Sequence, residues 1–96
     1  MRVVWSQEAR ADIRAIYAYR ARFSPSGARA LLKTIRSRAL QLQDFPDSGR
    51  IVPEMNNPYM RELIEGDYRI VYERFPDRVE IFAVLDGRAA FQDSNE

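Results

Sequence analysis

Ala28, Leu31, Leu32, Ile35, Ala39 and Leu42 recur at the spacing of a single helical face, and no other stretch of the chain constrains the fold as strongly. An apolar stripe of this length must be covered, and a helix cannot cover its own, so a second layer of structure is required. Ser24-Pro25 supplies the start of this helix, as N-cap and first helical residue. Phe45-Pro46 closes it, because proline disfavours the α region for the residue before it. An earlier helix begins at Ser6, with Glu8 in its first turn to suit the dipole. Its apolar face is Ala9, Ile13, Ile16 and Tyr17, while Arg10 and Arg14 share another face. That helix should stop near Phe23, which makes the pair an antiparallel hairpin.

The rest of the chain reads as strands. Met1–Trp5 is a short extended segment before the hairpin. Residues 46–58, with Pro46, Gly49, Pro53, Asn56, Asn57 and Pro58, form a loop. Arg61–Glu65 and Tyr68–Arg74 flank Gly66-Asp67, a two-residue hairpin turn, and Pro76-Asp77 separates them from Val79–Leu85. In Tyr68–Arg74, Tyr68, Ile70 and Tyr72 alternate with Arg69, Val71 and Glu73, so the two sets lie on opposite faces. Val79–Leu85 is apolar on both faces, as an inner strand is. The expected class is α+β in the order βααβββ, a mostly antiparallel sheet with a helical hairpin packed on one face. Residues 1–91 make one domain and 92–96 a polar, frayed tail. The aromatics Trp5, Tyr17, Phe45, Tyr68 and Tyr72 are expected in the core, with base stacking as the alternative.

Composition removes several chemistries. The sequence has no cysteine and no histidine, hence no disulfide, no thiolate metal site and no imidazole base. No metal and no cofactor is expected. No apolar run is long enough to span a membrane, and the N-terminus lacks a signal-peptide core, so a cytoplasmic location is expected. The net charge of +1 conceals an asymmetry: residues 1–50 carry ten Lys+Arg against four Asp+Glu, or +6, and residues 51–96 carry five against ten, or −5. All the basic residues but Lys33 are arginine. Arginine suits bidentate recognition of carboxylate and phosphate, although a genome-wide preference for arginine produces the same count.

Three runs carry a family signature: Arg61-Glu62-Leu63, then Gly66-Asp67-Tyr68-Arg69-Ile70-Val71-Tyr72, then Val79-Glu80-Ile81-Phe82-Ala83-Val84-Leu85-Asp86-Gly87-Arg88. In order, they resemble the C-terminal half of toxins of the RelE/ParE superfamily. Val4-Trp5-Ser6 before Glu8-Ala9, Asp12-Ile13, Ile16-Tyr17, and Phe45-Pro46 followed by Gly49-Arg50 resemble ParE-like members. The resemblance spans roughly residues 1–90. It implies the toxin of a type II toxin–antitoxin module, of the kind tied to plasmid stabilisation, held in a hetero-oligomer by a cognate antitoxin. It leaves two activities open, since fold does not settle function. RelE-like members cleave messenger RNA on the ribosome, whereas ParE-like members poison DNA gyrase. A relic that only binds its antitoxin is a third possibility.

Residue by residue, the resemblance places Arg69 against a scissile phosphate, Arg88 as a second arginine, and Glu54 as a loop base. Arg69 pairing with Glu62 or Glu73, and Glu54 as a solvated carboxylate, are the plain alternatives. Other nuclease parts are missing. Glu62 and its neighbours stand where ribosome-dependent members carry lysines, Asp86 or Gly87 replaces a common histidine, and Phe91 replaces a tyrosine. Arginine holds charge but does not exchange protons near neutrality, so the ParE-like, non-hydrolytic activity is expected. Arg29, Lys33 and Arg36, at i, i+4 and i+7, together with Arg61 and Arg69, are the candidate contacts to antitoxin or target. For the helical trio, a merely solvated face is the alternative.

Overall fold

The computed structural model describes residues 1–87. Strand β1 (Arg2–Trp5) leads into α1 (Gln7–Ala21) and α2 (Pro25–Leu40), which runs into a 3₁₀ turn at Gln41–Gln43. Strands β2 (Arg50–Ile51), β3 (Met60–Glu65), β4 (Tyr68–Arg74) and β5 (Arg78–Asp86) follow. The sheet order is β1-β5-β4-β3-β2, with β1 parallel to β5 and every other pair antiparallel. The α+β class and the helical hairpin on one face are as the sequence predicts. The two-residue β2 is additional: it lies in the predicted loop and is too short to leave a periodicity.

Both predicted helix starts form. Ser6 Oγ accepts the Ala9 amide and Ser24 Oγ accepts the Gly27 amide, each at 3.0 Å. The stripe of α2 then does what its pattern requires. Ile35, Ala39 and Leu42 are buried with Ala9 and Ile13 of α1 against Leu63, Tyr68, Ile70, Tyr72, Val79, Ile81 and Val84 of the sheet. The hairpin of β3 and β4 turns on Gly66, whose φ of 57° is the only positive value among the described residues. A positive φ at the first central residue alone fits a type II′ turn, which demands glycine there.

Strand β4 lies at the centre of the sheet and is buried on both faces from Tyr68 to Tyr72. Tyr68, Ile70 and Tyr72 face the helices, and Val71 packs beneath Val52 and Met55 of the long loop with Met60, Ala83 and Leu85. That loop therefore roofs the second face of the sheet. Strand β5 serves both layers because of a bulge: Val71 pairs with Ala83 but Tyr72 with Ile81, leaving Phe82 over. Val79 and Ile81 before the bulge and Val84 after it all face the helices. Past the end of β1, α1 takes over the hydrogen bonding, as Ser6 Oγ donates to the Phe82 carbonyl at 3.2 Å and Asp12 accepts the Val84 amide at 2.9 Å.

Of the aromatics expected in the core, Tyr68 and Tyr72 are buried, while Trp5 is half-buried at its margin. Tyr17 is half-buried too, and Phe45 is exposed. Phe45 sits just beyond the 3₁₀ turn, where the chain has already left the helix layer. No helix among the described residues is long and apolar enough to cross a membrane.

Candidate functional site

The close approach of two chain segments sets up the first candidate site. A Cβ on Gly49 would lie 2.6 Å from the Glu62 carbonyl and 2.7 Å from the Tyr72 hydroxyl, so only glycine fits there. The Gly49 amide donates to the Tyr72 hydroxyl at 2.9 Å, and that hydroxyl donates to the Pro46 carbonyl at 2.8 Å. Arg61 clasps the same turn from the neighbouring strand, donating to the carbonyls of Asp47 and Gly49 at 3.2 and 2.9 Å. Arg50 is thereby delivered opposite Glu62.

Glu62 is fully buried on the face away from the helices, and two arginines converge on it. Arg50 Nε donates to Oε2 at 2.5 Å and Arg69 Nε to Oε1 at 2.6 Å. The far side of the Arg69 guanidinium grips Glu54, with Nη1 to Oε2 at 2.8 Å and Nη2 to Oε1 at 2.9 Å. Two arginines and two glutamates thus form a balanced chain in which the side chain of Arg69 is only 7% exposed. A buried ion is costly unless it is paired and hydrogen-bonded, and this set meets that condition. Arg69 is held above its ordinary pKa, chiefly by the hydrogen bonds it donates to Glu54, against the opposing effect of burial and with further help from Glu62. It remains a cation at any pH the protein meets. An adjoining cleft of 420 Å³ is bordered by Arg50, Pro53, Glu54, Asp67, Arg69 and Gly87.

Glu62 is therefore a partner of Arg69, as one sequence alternative held. Glu73 is not, since it lies opposite Met60 at the far end of the pairing. Glu54 is not a freely solvated loop carboxylate: it closes the outer side of the Arg69 fork. Arg61 braces the turn at residues 47–49. Arg88 and Phe91, like the tail at 92–96, lie outside the described residues. The sequence reading quoted Arg50 only as part of the Gly49-Arg50 motif and did not pick it out as a site residue.

The second candidate site lies on the helices. Arg29, Lys33 and Arg36 border a groove of 560 Å³ whose floor and walls include Trp5, Leu32 and Leu40. Trp5 and Arg36 also belong to a neighbouring hollow of 320 Å³, where Arg10, Arg14 and Ile13 join them. Leu40 is 55% exposed in this apolar trough. Among the described residues none of these five cations makes an ion pair, and no acidic side chain borders either hollow. The trio predicted from helical spacing is thus brought together with two further arginines and an indole that sequence reasoning assigned to the core. Among the described residues no group of acidic side chains is arranged to hold a metal ion.

The fold has a counterpart in a chain of the chromosomal ParDE TA system from P. aeruginosa, with a TM-score of 0.77 and 22% identity over 90% of this chain and 95% of that one. Among curated protein sequences none matches significantly. The model of the ParE toxin family, described as the ParE toxin of the type II toxin–antitoxin system parDE, matches residues 3–91. From the first strand to beyond the last, the chain belongs to the ParE family of type II toxin–antitoxin toxins.

Proposed function

We propose that this toxin arrests growth by binding and poisoning DNA gyrase, without cutting RNA, and that an acidic antitoxin segment laid in the basic groove neutralises it. The state of Arg69 carries the non-hydrolytic part. A ribonuclease of the related kind needs a cation facing the scissile phosphate and groups that move protons to and from the reacting oxygens. Here the arginine at the clamp position is buried and gripped by Glu54 and Glu62. The same contact removes Glu54 as a free base. General acid–base help is typically worth about 10²–10⁴ in rate, and the chain has no histidine to supply it.

The antitoxin part rests on the groove. Trp5, Leu32 and Leu40 offer apolar contact, and Arg29, Lys33 and Arg36, which make no ion pair among the described residues, offer positive charge beside it. An amphipathic segment with carboxylates flanking its apolar side chains complements both features, and such segments commonly order on binding. The toxin and its partner then form a hetero-oligomer.

The test uses purified protein in two assays. Gyrase supercoiling should fall, or cleaved DNA should accumulate, while messenger RNA on translating ribosomes stays intact. Cleavage at codon-defined positions by wild type, lost in both Arg69→Ala and Glu54→Ala, would overturn the proposal and restore the clamp-and-base reading.

A further inference from the structure

The turn end of the helical hairpin carries an aromatic feature that neither the Arg69 cluster nor the basic groove uses. Tyr19 and Phe23, at the end of α1 and just beyond it, are 56% and 71% exposed. Their rings meet edge to face, with centroids 5.4 Å apart and planes at 66°. The Arg22 guanidinium lies 5.9 Å from each ring centroid and makes no ion pair among the described residues. Between this pair and the start of α2 is a hollow of 350 Å³ that includes Gly27, Ala28 and Leu31.

Two large rings are costly to leave in water, and neither packs into the core. Burying such a ring on a partner removes apolar surface at about 25 cal/mol per Å², and aromatic and arginine side chains dominate the energetic centres of protein interfaces. The rings also hold each other in place, so little freedom is left to lose on binding. Along α2 the hollow is centred about six residues from the middle of the basic groove, or roughly 9 Å at 1.5 Å per residue, and Gly27, Ala28 and Leu31 lie on a different face of the helix from Arg29, Lys33 and Arg36. An occupant of one site therefore need not touch the other.

We infer that the hairpin tip is a second protein-docking surface, and that it takes the target: an epitope presenting one apolar side chain to the hollow with a carboxylate beside it for Arg22. This rests on the proposal that the protein acts by protein–protein contact. The charge argument selects the occupant. Arg20, the other cation here, is already committed to the Tyr68 hydroxyl at 3.0 Å and to Asp67 at 3.8 Å. One available cation suits one carboxylate, whereas a nucleic-acid strand would need a row of them. The edge-to-face rings, with Arg22 against them, also offer no pair of parallel faces on which bases could stack.

The experiment compares full-length wild type with a Tyr19→Ala/Phe23→Ala double variant and with Arg22→Glu, at matched soluble levels checked by immunoblot and circular dichroism. Induced growth arrest, inhibition of purified gyrase, binding to the protein encoded beside the gene, and binding to a fluorescent single-stranded oligonucleotide are measured for each. A loss of growth arrest of tenfold or more in both variants, with binding to the neighbouring protein changed less than twofold, is the expected result. Full arrest by either soluble variant overturns the inference. So does loss of binding to the neighbouring protein, which would make the tip antitoxin surface, or oligonucleotide binding that depends on Tyr19 and Phe23. If wild type leaves purified gyrase untouched while the variants still lose growth arrest, the gyrase reading fails and the tip inference stands. Arg22→Glu alone decides the matter if the double variant does not fold.

Discussion

Arg69 and Arg36 are the same side chain in opposite circumstances. Arg69 points from the central strand into a roofed layer where Glu54 and Glu62 meet it within 3 Å. Arg36 stands on a helix face beside Trp5, where no carboxylate among the described residues pairs with it. The first guanidinium holds the loop onto the sheet, and the second is left available to a partner. An arginine's role is thus decided by whether the fold has already supplied its counter-ion. The motif arginine, which a nuclease would use, is the one the protein has consumed internally.

The strongest way to break this contrast is to remove the shared carboxylate. Glu62→Ala strands two arginines, one of them buried, and should cost about 3 kcal/mol, the low end for breaking a buried pair because Glu54 still holds Arg69 and Arg50 is largely exposed. Urea unfolding followed by circular dichroism measures it. A loss below about 1 kcal/mol would mean the cluster is not holding the loop to the sheet.

A smaller effect sharpens the picture of how the cluster is assembled. Tyr72→Phe leaves the buried Gly49 amide without its acceptor and should cost about 1–3 kcal/mol. Burial raises the Tyr72 phenol above its ordinary value of 10.0, with the Gly49 amide opposing. The fold therefore holds the neutral form. Its stabilising contribution is complete below pH 10 and drains away as pH climbs through the raised folded value. Denaturation midpoints taken between neutral and strongly alkaline pH should show this component in wild type and not in the phenylalanine variant. The same alkaline slope in both would assign it elsewhere.

The least effect on stability is expected from the groove. Replacing Arg29, Lys33 and Arg36 together by glutamate removes no ion pair among the described residues and should shift stability by less than about 0.5 kcal/mol per site. Binding to the antitoxin should fall tenfold or more, and the wild-type affinity should drop as salt rises. Calorimetric titration at two ionic strengths tests both points. Affinity that ignores both salt and charge reversal would move the antitoxin off this groove.

How much of this was legible beforehand differs between the two regions. The groove cations were visible as a spacing, since i, i+4 and i+7 share a helical face whatever the rest of the chain does. Trp5 and Leu40, which make that face a groove, were not, because they reach it from a strand and from the last residue of α2. At the other site Arg69, Glu62 and Glu54 were named, but their convergence with Arg50 was not visible, because Glu54 and Arg50 both come from a segment without periodicity. Their positions depend on Gly49 and Tyr72 fitting against each other, a contact between residues 23 apart in sequence.

From the sequence alone followed the α+β class, both helix starts, the turn at Gly66-Asp67 and the family. All of these rest on local rules: helical and strand periods, side-chain caps, positive φ at glycine, and short motifs in order. The tertiary structure alone decided which charges are spent and which remain. Pairing is a matter of distances of about 3 Å between groups that the chain separates by up to 15 residues, and no local period encodes such a distance. It follows from the long loop folding back as a roof over β4. That closure sets Arg69 into an internal network of carboxylates, while Arg29, Lys33 and Arg36 make no ion pair among the described residues.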